Sequence, residues 1–88
     1  MGSYEIRWTH SAERDLRKVG RQQIPRIVRA IESLANDPVP SHGRKLRGAE
    51  RLCRIRIRDH RVIYQVDVEA KTVIIYYVRH RREAYRRL

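Results

Sequence analysis

The spacing of apolar residues along the chain changes from helical to alternating near its midpoint. Residues 24–35 carry apolar side chains three and four positions apart, which predicts a helix with one buried face. Pro25 fits only the first turn of that helix, and residues 36–38, Asn-Asp-Pro, end it. A shorter helix over residues 12–19 and a first strand over residues 4–8 precede it. The first half is therefore predicted to be a strand followed by an αα-hairpin.

The second half begins with arginine alternating with apolar residues over residues 51–61. Successive side chains of a strand point to opposite faces of a sheet, so this spacing predicts one apolar face and one basic face. The predicted core face holds Cys53, Ile55 and Ile57, and the predicted basic face holds Arg54, Arg56 and Arg58. Like charges on one sheet face repel, so the basic face indicates an anionic partner.

A turn at Asp59-His60 and a return strand over residues 61–68 complete a predicted hairpin. A two-residue turn there pairs position 58 with 61, 56 with 63 and 54 with 65, which adds Arg61 to the basic face. The strand over residues 72–78 is strongly apolar, which predicts that it is central in the sheet or buried on both faces. The predicted fold class is α+β, in the order β-α-α-β-β-β. It is a single domain over residues 1–88: a small antiparallel-dominated sheet with the αα-hairpin on one face and a basic C-terminal tail.

Charge narrows the class of partner. The net charge is +11, and most of it lies in residues 44–61, with eight basic and two acidic side chains, and in residues 79–88, with five and one. This concentration favours nucleic acid or another anionic partner. The single cysteine, Cys53, allows no internal disulfide, and no signal-peptide pattern precedes the first strand, which together predict a cytoplasmic protein. No apolar run is long enough for a membrane span.

Five segments, taken in order, resemble the RelE/ParE toxin superfamily, the toxic halves of bacterial and archaeal toxin–antitoxin pairs. They are Ser-Ala-Glu-Arg-Asp-Leu at 11–16, Lys-Leu-Arg-Gly at 45–48, Cys-Arg-Ile-Arg-Ile at 53–57, Arg-Val-Ile-Tyr-Gln-Val at 61–66 and His-Arg-Arg-Glu-Ala-Tyr at 80–85. The RelE branch fits better than the ParE branch. Paired basic residues on one strand, an arginine opening the next, and an arginine with a tyrosine in the tail are all present.

The resemblance implies a function. RelE-like toxins cleave messenger RNA in the ribosomal A site, where the 2′-hydroxyl of the message attacks the adjacent phosphate without a metal or cofactor. The expected partners are the ribosome with its mRNA and a cognate antitoxin. Operator DNA would be reached indirectly through that antitoxin.

The resemblance also implies which residues act. The candidates for chemistry are Arg54, Arg56, Arg61, Arg81, Tyr85 and His80; those for contact with the RNA backbone are Arg44, Lys45, Arg47 and Arg58. Arginine can orient a phosphate and offset its charge, but it stays protonated and cannot readily accept a proton. Proton transfer then falls to His80, or the step proceeds mainly by charge stabilisation. Each candidate also has an alternative without a catalytic role. The strand arginines would then form a solvated sheet face, His80 would be a surface histidine at a strand end, and Tyr85 would be a packing residue.

Two other functions remain open at this stage. A ParE-like gyrase poison would act by binding protein, without hydrolytic chemistry, and a plain nucleic-acid-binding module would need only the charge. The lone Cys53 has no second cysteine or paired histidine, so neither a thiol nucleophile nor a metal site is expected. His60 is expected in the turn with a structural role, and Arg79 stands where the family commonly has glycine.

Overall fold

Seven elements follow one another in the computed structural model, which describes residues 3–39, 44–45 and 52–80. They are β1 (Glu5–Trp8), α1 (His10–Arg17), α2 (Ile24–Ser33), β2 (Arg44–Lys45), β3 (Leu52–Ile57), β4 (His60–Asp67) and β5 (Thr72–His80). The strands form one sheet in the order β1-β5-β4-β3-β2, parallel between β1 and β5 and antiparallel elsewhere. This confirms the predicted α+β fold. The basic tail was predicted to begin at Arg79, but Arg79 and His80 belong to β5, and the rest of the predicted tail, from residue 81 onward, lies outside the described residues.

Thr9 joins the first strand to the first helix. Its hydroxyl accepts a hydrogen bond from Ala12 N at 3.1 Å and donates one to Ile75 O at 2.8 Å. It therefore caps α1 and holds the cap against β5. Helix α1 ends at Arg17, two residues before Val19, the last apolar position of the predicted helix. In the described part of the chain, neither helix is both long and apolar enough to cross a membrane.

The core lies between the two helices and one face of the sheet. Helix α1 packs on β5 and α2 on β3. The largest fully buried side chain is Tyr64, whose hydroxyl donates to Pro38 O at 2.6 Å and ties the end of the helical hairpin to the sheet. Burial raises the pKa of the Tyr64 hydroxyl above its usual value near 10, since the charged form would lose its water.

The hairpin of β3 and β4 corrects the predicted register. The two-residue turn is Arg58-Asp59, so Ile57 pairs with His60, Arg56 with Arg61 and position 54 with 63. The prediction placed the turn one residue too late and shifted the pairing by two residues. Because side chains alternate with a period of two, a two-residue shift leaves every side chain on its predicted face. The predicted core face of β3 is accordingly buried, and so are the residues on the same face of β4; together they are Cys53, Ile55, Ile57, Val62, Tyr64 and Val66.

Arg58 and His60 therefore change their predicted places. Arg58 is not on the strand but in the turn, with a φ of 54° in the left-handed region, where an arginine costs about 1 kcal/mol relative to glycine. His60 is not in the turn but opens β4.

The prediction that the strand over residues 72–78 is central is confirmed, since β5 lies between β1 and β4, but a β-bulge in β5 excludes the alternative that it is buried on both faces along its whole length. Ile63 pairs with Tyr77 while Tyr64 pairs with Ile75, so Tyr76 is an extra residue on β5. Ahead of the bulge Ile75 faces the core, and beyond it Val78 does, while Tyr77 is 41% exposed. The bulge thus turns Tyr77 to the sheet face opposite the helices, which we call the outer face.

Candidate functional site

Two rows of side chains cross the outer face from β3 to β5. Arg56 pairs with Arg61, and Arg61 pairs in turn with Arg79. The neighbouring row runs from Arg54 through Ile63 to Tyr77. Each of its residues is two positions from the first row along its own strand, so both rows lie on the same face. Residues directly opposite one another in adjacent strands have Cβ atoms about 5 Å apart, so the first row brings three guanidinium-bearing side chains together.

Contacts of Arg56 and of Arg79 orient their side chains. Arg56 is exposed, and its Nε donates to the carbonyl oxygen of Arg58 at 3.1 Å. Arg79 is mostly buried, with Nε 3.3 Å from Asp15 Oδ2. Arg61 lies between them and is half-buried. A pre-oriented guanidinium presents a fixed pair of donors, which suits the oxygens of a phosphate.

Asp15 supports this edge of the site from α1. It is one of two buried polar residues in the described chain, 7% exposed, and its Oδ2 accepts the backbone N–H of Val78 at 3.0 Å. Strand β1 ends at Trp8, so none of the described strands pairs with this part of β5 on that side. The carboxylate supplies the missing acceptor and at the same time offsets the charge of Arg79.

His80 lies on a different face from the predicted arginines. His60 and His80 pair across β4 and β5, and their rings meet edge to face with centroids 5.2 Å apart. A small cavity of about 40 Å³ beside them is also lined by Asp15, Lys18 and Val78, so both imidazoles are on the helix side of the sheet. The structure therefore brings Arg54, Arg56 and Arg61 together and places His80 apart from them.

For some of the predicted RNA-binding and catalytic residues, the structure describes only the backbone, and others lie outside the described part of the chain. The backbone of Arg44 pairs with Arg54 and that of Lys45 with Cys53, so β2 lies beside the basic strand. Arg47, Arg81 and Tyr85 lie outside the described residues, and their roles stay predictions. Cys53 is buried in the core, away from solvent.

Sequence reasoning missed three residues at this site: Asp15, Tyr77 and Arg79. Tyr77 was hidden in an apolar run, because alternation cannot reveal a bulge within it. Asp15 gave a weak signal, as an acidic residue between apolar positions of an amphipathic helix. Arg79 was noted only as a departure from glycine, although the salt bridge to Asp15 explains how the larger side chain is accommodated.

The arrangement can bind and orient a phosphodiester and stabilise negative charge that develops on it. Within the described ranges, no group of three or more His, Cys, Asp and Glu side chains is arranged to hold a metal ion. An exposed aromatic ring beside the arginines adds a surface on which a planar group could stack.

Comparisons with known proteins identify the family of the chain and support its fold. Residues 6–85 match the family described as the ParE toxin of the type II toxin-antitoxin system, parDE. Toxin RelG of Mycobacterium tuberculosis (strain ATCC 25618 / H37Rv) is 32% identical over 85 residues, covering 96% of this chain and 98% of the relative.

Several solved structures share the fold. The toxin–antitoxin complex RelBE2 from Mycobacterium tuberculosis contains a chain that is 33% identical, with a TM-score of 0.78 and coverage of 90% of this chain and 99% of that one. The archaeal RelE–RelB complex from Pyrococcus horikoshii OT3 contains one that is 26% identical, with a TM-score of 0.80 and coverage of 90% and 96%.

Proposed function

Because this chain belongs to the RelE/ParE superfamily of type II toxin–antitoxin toxins, we propose that it is an endoribonuclease of the RelE type, which cleaves messenger RNA in the ribosomal A site. The observation that carries the proposal is the convergence of Arg54, Arg56 and Arg61 on the outer face of the sheet. A poison that acts only by binding a protein does not need three guanidinium groups placed to hold a phosphate.

In the proposed reaction the 2′-oxygen of one nucleotide attacks the adjacent phosphorus, and the bond from phosphorus to the 5′-oxygen breaks. The products are a 2′,3′-cyclic phosphate and a 5′-hydroxyl, and a proton passes from the 2′-hydroxyl to the leaving oxygen. Arg54, Arg56 and Arg61 hold the phosphate in line and offset the charge on its oxygens. We assign Arg81 to the leaving group and Tyr85 to base stacking or proton transfer, as the family resemblance implies.

Proton transfer is the demanding step for this set of residues. The arginines cannot readily accept a proton, and His80 is on the helix side of the sheet. We therefore favour charge stabilisation as the main source of rate over a histidine base. Lysines introduced at positions 54 and 56 would test this directly, because a lysine with a lowered pKa can act as a base.

A cognate antitoxin is the proposed protein partner. The similar structures from Mycobacterium tuberculosis and Pyrococcus horikoshii are both complexes of a toxin with its antitoxin. An antitoxin segment with acidic side chains would neutralise the outer face, and the complex would reach operator DNA through the antitoxin. The ribosome and its mRNA are the proposed targets, and the cytoplasm is the proposed compartment.

Inhibition of DNA gyrase is the second candidate, because the matching family is described by its ParE member. Induction of the chain followed by primer extension on translated messages separates the two. Cuts that need engaged ribosomes, and that disappear with Arg81→Ala or Tyr85→Phe, support the nuclease. Growth arrest with intact messages and trapped gyrase–DNA complexes would overturn it. Arg29→Ala, on the exposed side of α2, is the matched control and should still arrest growth.

A further inference from the structure

Tyr77 is the exposed aromatic residue of the outer face. It is 41% exposed, and the other large apolar side chains with comparable exposure in the described chain, Val39 and Val68, are aliphatic. Its register places it across from Ile63, which is itself across from Arg54. The ring therefore lies on the same face as the arginines proposed to hold phosphate, one row from Arg61.

The ring is also held in position. The guanidinium carbon of Arg79 lies 4.9 Å from the centroid of Tyr77, in a cation–π contact. Arg79 is itself fixed by its salt bridge to the buried carboxylate of Asp15, at 3.3 Å. A chain of contacts thus runs from helix α1 to the surface of the sheet, so little conformational entropy remains to be lost when a planar ligand binds the ring.

We propose that Tyr77 stacks on a nucleobase of the single-stranded RNA whose phosphates are bound by Arg54, Arg56 and Arg61. The inference rests on the proposed function for its ligand, and it adds a base-binding position outside the residues that the family resemblance supplies. An aromatic ring among guanidinium groups suits single-stranded nucleic acid, because the arginines follow the backbone while the ring accepts any base.

The affinity for RNA tests the stacking directly. A short single-stranded RNA that carries 2-aminopurine at successive positions is titrated with the purified full chain, following fluorescence anisotropy and quenching. Tyr77→Leu should weaken binding about tenfold and remove the quenching at one position, whereas Tyr77→Phe should retain both. Tyr77 is partly exposed on a strand, so leucine should leave the fold intact, and near-ultraviolet circular dichroism checks this.

A double-mutant cycle that pairs a change in the protein with a change in the RNA isolates the contribution of the base to the binding free energy. With an abasic nucleotide at the position that is quenched, wild type and Tyr77→Leu should bind equally, because the removed base is the proposed partner. If Tyr77→Leu binds as tightly as wild type, or weakens intact and abasic RNA alike, the inference is wrong. The inference is also wrong if Tyr77→Leu weakens binding to the antitoxin but not to RNA.

The same series separates this inference from the proposed function. Arg61→Ala should weaken binding to intact and abasic RNA equally, because a phosphate contact is insensitive to the base. A wild-type chain that binds RNA with quenching but cuts no message on ribosomes would overturn the nuclease and leave the stacking standing. Ribosome-dependent cleavage with no Tyr77 effect on binding would overturn the stacking alone.

Discussion

The carboxylate of Asp15 on helix α1 accepts a hydrogen bond from the backbone N–H of Val78, at 3.0 Å. This bond takes the place of a strand pairing, since β1 ends before it reaches that part of β5. The same oxygen lies 3.3 Å from Arg79 Nε, so one buried side chain completes the sheet edge and holds an arginine of the outer face. Helix α1 is thereby coupled to the candidate site.

Removing the Asp15 carboxylate should destabilise the protein. Asp15→Ala leaves the N–H of Val78 unpaired and Arg79 without its anionic partner, and we expect the free energy of unfolding to fall by about 2–3 kcal/mol. Asp15→Asn should cost less, because the amide oxygen can still accept the hydrogen bond. Urea unfolding measures both, and Glu13→Ala, on the exposed side of the same helix, is the control. Equal stability of Asp15→Ala and Glu13→Ala would contradict the assignment.

Loss of the Thr9 hydroxyl should also lower stability. Thr9→Ala removes the cap of α1 together with the bond to Ile75 O, and we expect a loss of about 1–2 kcal/mol. Thr9→Ser retains the oxygen that makes both contacts and should retain most of the stability. Thermal unfolding of the three proteins under one condition provides the comparison. A serine variant as unstable as the alanine variant would show that the methyl group matters instead.

Tyr64 should make stability decrease at alkaline pH. Its pKa is raised in the folded state by burial, so below the unfolded value near 10 the hydroxyl is neutral in both states and its full contribution is present. As the pH rises above 10, the unfolded chain releases the proton first, and the free energy of unfolding falls by up to about 1.4 kcal/mol per pH unit. Tyr64→Phe should show a smaller fall between pH 9 and 11. If the free energy of unfolding falls equally with pH in wild type and in Tyr64→Phe, Tyr64 is not the source of the alkaline loss of stability.

Arg61 should contribute a phosphate contact. Arg61→Ala should weaken binding to single-stranded RNA and reduce the slope of log affinity against log salt by about 0.7, the value for one contact to a single strand. Arg29→Ala removes an equal charge from α2 and should leave the slope nearly unchanged. Anisotropy titrations at four or more salt concentrations measure this. An equal change in both variants would indicate a general effect of net charge.

His80→Gln should leave ribosome-dependent cleavage within a few-fold of wild type, because the imidazole lies on the helix side of the sheet. Arg56→Ala should reduce the cleavage rate by about 100-fold, as expected when one stabilising donor is removed. Primer extension at early times compares the two rates. A loss in His80→Gln as large as that in Arg56→Ala would restore the histidine base.

The faces of the hairpin could be predicted from sequence because they depend only on whether a position is odd or even. The turn was placed one residue too late, yet Arg54, Arg56 and Arg61 still fell on one face, since the pairing shifted by two residues. A one-residue shift would have placed Arg61 in the core. The apolar alternation of both strands strongly excludes that, because it would also expose Val62 and Tyr64.

The site around β5 could not be predicted in the same way. The run of apolar residues ahead of Arg79 carries no alternation, so nothing in it marks Tyr76 as an extra residue. The partner of Asp15 is a backbone N–H 63 positions away, and backbone donors leave no trace in sequence. Only the three-dimensional register reveals that Tyr77 and Arg79 join the arginine face.

The parallel pairing of β1 with β5 sets the order in which the chain can fold. Residues 5–8 are synthesised well before residues 72–75, with which they pair, and β5 is complete only at residue 80. Contacts between such distant positions form late, after the intervening chain is available to close the loop. We expect that β1 cannot pair before residues 72–75 have been translated, and that Arg79 cannot reach Asp15 before residue 79 has been translated. The outer face, which needs β3, β4 and β5 together, would thus be assembled only after the first helix has already left the ribosome.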